Sequence, residues 1–469
     1  MCSLLTRARS APLFLICTLT QARLTRLRPF GAMLAALSNL PYLASLARYA
    51  GPSAALYIVL CTLNSCTQYR PLPLDLPQTT AQWETISHSL CQRGKMSTEQ
   101  AVNIGLLLNP ELNKARLSLM KKASAAQYAG LWEDPSIAAD VERIAGGPVS
   151  ARSLAPSLTL PLTGLPALAK KAEEQYAAAD FLQLCADELA YRRSLEEKIL
   201  EVQVAHARLE MMQERQKVLT VESEQAERLL KAGEMDLTDY HIIRRREGDM
   251  HQELQAQETT HLKLHQELIA LMGLHPSLAH AEITDELPNR APAALPLPSA
   301  EELLYAPSVL AQLEGYNATE TELRTEIRKQ FPDLKIAPGY LREDGEHKVT
   351  LGAEISLPLW NRNRRGIAEA GGERTLKAHE VVTTWHNLLR EADNLRARQE
   401  LAEQHCRAEE NRIAALRGAA EQREQLFGMG ETTLPAVAEA RHEAYVRRLN
   451  FLENMQELLG VQIAIRYLH

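Results

Sequence analysis

Apolar side chains recur in steps of three, four and seven through the middle of the first half of the chain: Leu195, Ile199, Val202, Leu209, Met212, Leu219, Ala226 and Leu230. That spacing lays one stripe along a helix and makes the seam of a coiled coil. The helix it predicts spans 165–231, about 100 Å at ~1.5 Å per residue. Gly233 stands where a left-handed residue ends a helix, and a return helix is predicted over 237–271. The same succession recurs with a helix over 365–428, Gly430, and a return helix over 434–467. Each set reads as an antiparallel coiled-coil hairpin with a glycine at its tip.

The pattern changes ahead of each hairpin. Runs over 136–144 and 154–162, and again over 334–342 and 348–359, have the length and alternation of strands. In the last run Val349, Leu351, Ala353, Ile355 and Leu357 face one way, with Thr350, Gly352, Glu354 and Ser356 opposite. Strands of this length suit the ~9–11 residues that cross a bilayer in a tilted barrel, although a water-soluble hairpin would share the pattern. Ser97 and Ser299 are placed to cap an opening helix, with Glu99 or Glu301 and Glu302 in its first turn. Pro110 or Pro307 interrupts that helix, which is expected to resume as far as Trp132 or Lys329.

These parallels share one register. Pro110 and Pro307, Pro135 and Pro332, Pro161 and Pro358, and Gly233 and Gly430 are all 197 residues apart. The chain is therefore read as a leader over 1–65, an extended segment over 66–96, and two tandem repeats over 97–285 and 299–469. A Pro-rich linker over 286–298 joins the repeats.

Composition narrows the function. Only 23 of 469 residues are aromatic, few for a compact enzyme or sandwich of this size. The net charge of −7 divides unevenly, because residues 1–65 hold six Arg and no acid. The remainder is strongly acidic, which argues against a nucleic-acid partner. The apolar run over 54–63, followed by Asn64, Ser65 and Cys66, resembles a bacterial lipoprotein signal in which Cys66 becomes the acylated N-terminus. Met33 is then a plausible start. A mitochondrial presequence, or a simple signal peptide with an incidental Cys, shares this composition. Cys91, Cys185 and Cys406 match no CxxC or zinc spacing and read as helix-face thiols.

Four strands cannot close a barrel, and two hairpins expose more stripe than they can hide against each other. Three chains remove both defects: twelve strands close one membrane barrel, and twelve helices close a tube beneath it. The fold class expected is thus mostly α with a small β part, a homotrimeric α-barrel continued by a 12-stranded transmembrane β-barrel.

Several stretches then resemble the TolC-type outer-membrane efflux channel family over essentially 97–469. They are Asn109-Pro110-Glu111-Leu112, the exit LPLWNRNRRGIAEA over 357–370, and the tip turns KAGEMDLTDY over 231–240 and FGMGETTLPAV over 427–437. The LPLWNRN…IAEA stretch looks like the heavy-metal branch that serves RND-type exporters. The resemblance implies a passive trimeric conduit through the outer membrane and periplasm, needing no cofactor. It implies that the tips, with Gly233, Glu234, Gly430 and Glu431, meet a periplasmic adaptor (a membrane fusion protein) and an inner-membrane RND-type pump. It further implies an entrance gate at Thr238, Asp239, Thr432 and Glu439. Thr432 stands where an Arg latch would be, and Ala436 replaces the second acid of the expected ring.

Other candidates carry less. His261 and His265, four apart, could present two imidazoles to a metal, but no third ligand has suitable spacing, and exposed helix histidines are the ordinary reading. His206 falls in the coiled-coil stripe. His442-Glu443 lacks the second His of a zincin, and no GxSxG or Walker loop is present, so no enzyme is expected. Arg244, Arg245 and Arg246 read as a solvated face, or alternatively an adaptor contact. Trp132 and Trp360 flank strands, as interface aromatics or junction packing do. A coiled-coil scaffold or adaptor without a pore is the rival reading, and the paired strands weigh against it.

Overall fold

In the computed structural model the described residues are 69–469, apart from 92–93, 144, 146–148, 279–280 and 344. The leader, the lipobox and Cys66 therefore lie outside the described residues. The chain divides into two units, Met1–Asp75 and Leu76–His469. Of the first, only 69–75 are described, and they hold no regular element.

The second unit runs α1 (Leu76–Leu90), β1 (Lys95–Met96), α2 (Thr98–Leu108), α3 (Pro110–Ala126), β2 (Ser136–Arg143), β3 (Val149–Leu160), α4 (Leu165–Ala232), α5 (Leu237–Leu271) and β4 (Glu282–Ile283). It continues through α6 (Ala300–Leu303), α7 (Pro307–Arg328), β5 (Leu334–Glu343), β6 (Glu346–Ile355), α8 (Arg364–Gly428) and α9 (Leu434–Arg466). The two long hairpins are α4–α5 and α8–α9. No described helix is long and apolar enough to cross a membrane.

Local chemistry explains the boundaries. Ser97 and Ser299 each close a capping box, with Gln100 and Glu302 returning the hydrogen bond. Asn109 caps α3, so Pro110 opens a helix there rather than kinking one, and Pro307 opens α7 in the same way. Gly233 and Gly430 adopt φ of 77° and 79°. In each tip a pair of N–H groups satisfies the last carbonyls: Gly233 to Leu230 and Glu234 to Leu229, then Gly430 to Phe427 and Glu431 to Leu426.

The 197-residue register extends into the core. Leu106, Leu112, Tyr191, Leu264, Leu268 and Leu271 pack in one cluster, and Leu303, Val309, Leu388, Val461, Ile465 and Leu468 pack in the other. Each residue of the first set lies 197 before its counterpart. The repeat is one of packing as well as of punctuation.

Four boundaries differ from expectation. α3 ends at Ala126, short of Trp132, because the chain turns through Gly130 at φ 71°. β3 starts at Val149 rather than 154, since its ladder with β2 already begins at the Arg143–Val149 pair. β6 ends at Ile355 rather than 359, because its last partner is Leu334, immediately after Pro332-Asp333. The segment 66–96 is not extended throughout but contains α1. The Trp83 indole of α1 donates to the Gly273 carbonyl at 2.8 Å, and its ring meets His275 edge-on.

Candidate functional site

The four-stranded sheet is antiparallel in the order β2-β3-β5-β6. Register decides what its faces carry. Ile137, Ala139 and Val141 pair with Pro156, Leu154 and Arg152. Leu154, Leu158 and Leu160 pair with Tyr340, Ile336 and Leu334, which in turn pair with Val349, Ala353 and Ile355. Residues paired across a ladder share a face, so one face is apolar across all four strands except at one end, where the row from Val141 carries Arg152, Arg342 and His347. The opposite face carries Ser136, Asp140, Glu142, Ser153, Ser157, Thr159, Lys335, Glu354, Thr350 and Lys348.

This apolar face is uncovered. Every residue of β2 and of β6 is exposed, with Val349 at 87% and Leu351 at 77%. β2 and β6 are also the two edges, and neither meets a further strand among the described residues. An exposed apolar face and two open edges are unfavourable in water unless a lipid phase and neighbouring strands cover them. Trp132 and Trp360, at 60% and 91% exposed, pack against little within the chain.

At the other end of the hairpins, both tips converge. Ala226, Ile243 and Leu434 form an apolar plug joined by Leu229, Met235, Tyr240 and Phe427. Glu234 and Glu431 point to solvent beside their glycines. Asp236 caps α5 by accepting the Asp239 backbone N–H at 2.8 Å, and Thr238 is exposed. Thr432 is half-buried.

Glu439 is held by Arg246, a pair that ties α9 to α5. The Arg246 hydrogen bond, then its charge, keeps the Glu439 carboxyl below the usual carboxylate range. The basic cluster is thus partly engaged, since Arg244 also meets Glu247 at 2.8 Å and the Ser223 hydroxyl at 3.1 Å.

Above this lies a charge cluster that was not anticipated. Glu222 is 0% exposed. It receives Arg441 from α9 at 2.9 Å and Arg215 from its own helix at 3.5 Å. Arg441 also reaches Glu424 at 2.6 Å. Burial lowers the Arg215 pKa; burial acts on Arg441 too, but Glu222 and Glu424 outweigh it and raise the Arg441 value. A signal was present in the sequence: positions 215 and 222 fall on the apolar stripe between Met212, Leu219 and Ala226. Further pairs stitch the hairpins together along their length, Arg193 to Glu391 at 2.6 Å, Arg208 to Glu453 at 3.1 Å and Arg466 to Glu196 at 2.8 Å.

Two histidine readings need correction. His265 is not an exposed helix histidine; it is buried, and its Nε2 lies 2.5 Å from the Ala281 carbonyl. His206 is not in the buried seam but exposed, 3.4 Å from Glu210. Cys91, Cys185 and Cys406 are free, and burial pushes the Cys406 thiol up to about 11.

No protein-family model matches the sequence, and no curated protein matches it either. Solved structures do match. CusC, whose structures address transmembrane channel formation, aligns over 79% of this chain and 92% of its own at 14% identity, with a TM-score of 0.69. The outer-membrane channel OprN aligns over 86% and 98% at 16% identity, with a TM-score of 0.68. The outer membrane protein VceC from Vibrio cholerae aligns over 79% and 95% at 16% identity, with a TM-score of 0.67. The chain has the fold of the TolC-type outer-membrane channels.

Proposed function

We propose that this chain is the channel subunit of a tripartite efflux system, a passive conduit for toxic compounds or metal ions across the outer membrane. The observation that carries it is the sheet: one face mainly apolar across all four strands, the other mainly polar, and both edges open. Three copies placed edge to edge give twelve strands, pairing β6 of one chain with β2 of the next. The apolar face then meets lipid and the polar face lines the lumen. Such a conduit makes and breaks no bonds.

The same geometry supports roles for the tips. Gly233, Glu234, Gly430 and Glu431 form the surface offered to a periplasmic adaptor, and an inner-membrane pump of the RND type drives the export. Thr238, Asp239, Thr432 and Glu439 flank the entrance, and opening separates the tip hairpins. Acylated Cys66 anchors each chain to the outer-membrane leaflet.

A pore-free scaffold would have no use for the amphipathic open sheet, and the likeness to outer-membrane channels favours the conduit. Planar-bilayer conductance of the purified protein tests the reading. Discrete steps from a detergent-stable trimer are expected. A monomer that stays soluble without detergent and conducts nothing would overturn it.

A further inference from the structure

Position 206 lies 27 residues before Gly233 and position 261 lies 28 after it. The two therefore meet across the first hairpin, roughly 40 Å from its tip at ~1.5 Å per residue. The His206 and His261 ring centroids are 5.4 Å apart, and those of His261 and His265 are 6.3 Å apart. His261 thus has an imidazole on either side, His206 across the hairpin and His265 one turn along its own helix. Sequence spacing hides this, because 55 residues separate His206 from His261.

His265 has the chemistry of a prepared ligand. The residue is 9% exposed. The contact with the Ala281 carbonyl requires the proton on Nε2. That leaves the Nδ1 lone pair, which is buried and has no hydrogen-bond partner. A ring nitrogen held protonated by a carbonyl, with the other nitrogen free, is the arrangement that metal-binding histidines adopt.

The second repeat supplies an internal control. At the 197-residue offset, positions 206, 261 and 265 become Glu403, Leu458 and Gln462. Gln462 donates from its amide nitrogen to the Ala293 carbonyl at 2.9 Å, so it too ties its return helix to a backbone carbonyl outside that helix, as His265 does with Ala281. The structural duty of position 265 therefore needs only an N–H donor. Leu458 is fully buried, so position 261 is filled by an ordinary core residue in the second repeat. The second repeat thus meets the structural demands of these three positions without an imidazole at any of them.

We propose that His206, His261 and His265 bind a late first-row divalent transition-metal cation, such as zinc(II) or copper(II), midway along the first hairpin. Imidazole nitrogen suits these ions. At Zn–N of about 2.0–2.1 Å, two rings on one tetrahedral ion have centroids roughly 5 Å apart. His206 and His261 are near that spacing. Among the described residues no three such side chains already stand placed around one point. Closure requires rotation of the His206 and His261 rings, and the 58% exposed His206 side chain has room for it. Glu210, beside His206, is available as a fourth, oxygen ligand.

The test uses tag-free full-length protein in detergent, titrated with zinc(II) against a chromophoric chelator and, separately, with cobalt(II) for its d–d spectrum. One saturable ion per chain is expected, with binding lost as the pH falls and the imidazoles protonate. H206A and H261A should each weaken binding at least tenfold. H265Q, which keeps the donor to Ala281 as Gln462 does, should do the same with the helical circular dichroism unchanged. H405A, on the second hairpin, should bind as the wild type does. Absence of saturable zinc binding, or wild-type affinity in H206A, H261A or H265Q, overturns the site. Because the readout is binding by purified protein, it stands or falls separately from conduction.

Discussion

Arg441 of the second hairpin donates at 2.9 Å to the Glu222 carboxylate of the first, a group with no exposure to solvent. The two repeats are thereby joined by a buried ion pair, and its partners Arg215 and Glu424 bring two more charges to the same place. Removing one member of such a pair leaves the buried charge less fully compensated in a low-dielectric setting.

Arg441→Ala leaves Glu222 with Arg215 alone, at 3.5 Å, and should lower stability by about 1–3 kcal/mol. Arg398→Ala, which breaks an exposed pair with Glu457, should cost no more than about 1 kcal/mol. Denaturant midpoints of the two variants decide this, and equal losses would show that the buried carboxylate is not the cause.

The Arg246–Glu439 pair behaves differently because it is partly exposed, 29% and 57% on the two side chains. Screening limits it to about 1 kcal/mol or less. The carboxyl of Glu439 is lowered in the folded protein, so its contribution is present above the unfolded carboxylate pKa of about 4.3 and is lost as pH falls through the lower folded value. Glu439→Gln should abolish that acid-side loss. It should also raise the open probability in bilayer recordings while trimers persist. Identical recordings from the variant and the wild type would remove Glu439 from the gate.

The two faces of the sheet should respond oppositely to charge. Leu351→Arg places a cation on the apolar face and should cost about 2–4 kcal/mol of membrane insertion if the position lies near the bilayer midplane. Thr350→Lys, one residue away on the polar face, should leave assembly intact and shift conductance toward anions. Reversal potentials and trimer yield from the same preparations separate the two outcomes.

Gly233 and Gly430 can be probed by Gly→Ala. No atom lies within 4 Å of a Cβ added at either tip, so only the positive φ opposes the change. The cost expected is about 1–2 kcal/mol per tip. Calorimetric unfolding of each variant measures it. A neutral result would mean that the tips relax out of the left-handed region.

Much of this architecture was legible in the chain itself. The stripe from Leu195 to Ala226, the two tip glycines and the 197-residue spacing of Pro110 and Pro307 are local or periodic signals. Helix period, capping and backbone permissiveness act over a few residues, so they can be read in order along the sequence. They marked both hairpins and the strand pairs ahead of them. Boundaries set by a partner were less accessible. The end of β6 depends on where β5 begins, and β3 is longer than its own alternation suggested because β2 reaches Arg143. α1, within the segment read as extended, is anchored by Trp83 on the Gly273 carbonyl, which lies 190 residues away.

What the sequence determined alone is therefore the repeat, the helical hairpins, their glycine tips and the amphipathic period of the strands. Only the tertiary structure decided which charges meet. It joined Arg441 to Glu222 and Arg246 to Glu439, merged the apolar faces of four strands into one, and brought His206 against His261. The physical reason is range: propensity and periodicity act between near neighbours, whereas ion pairing, strand register and ligand geometry depend on distances of a few ångströms between residues remote in the chain.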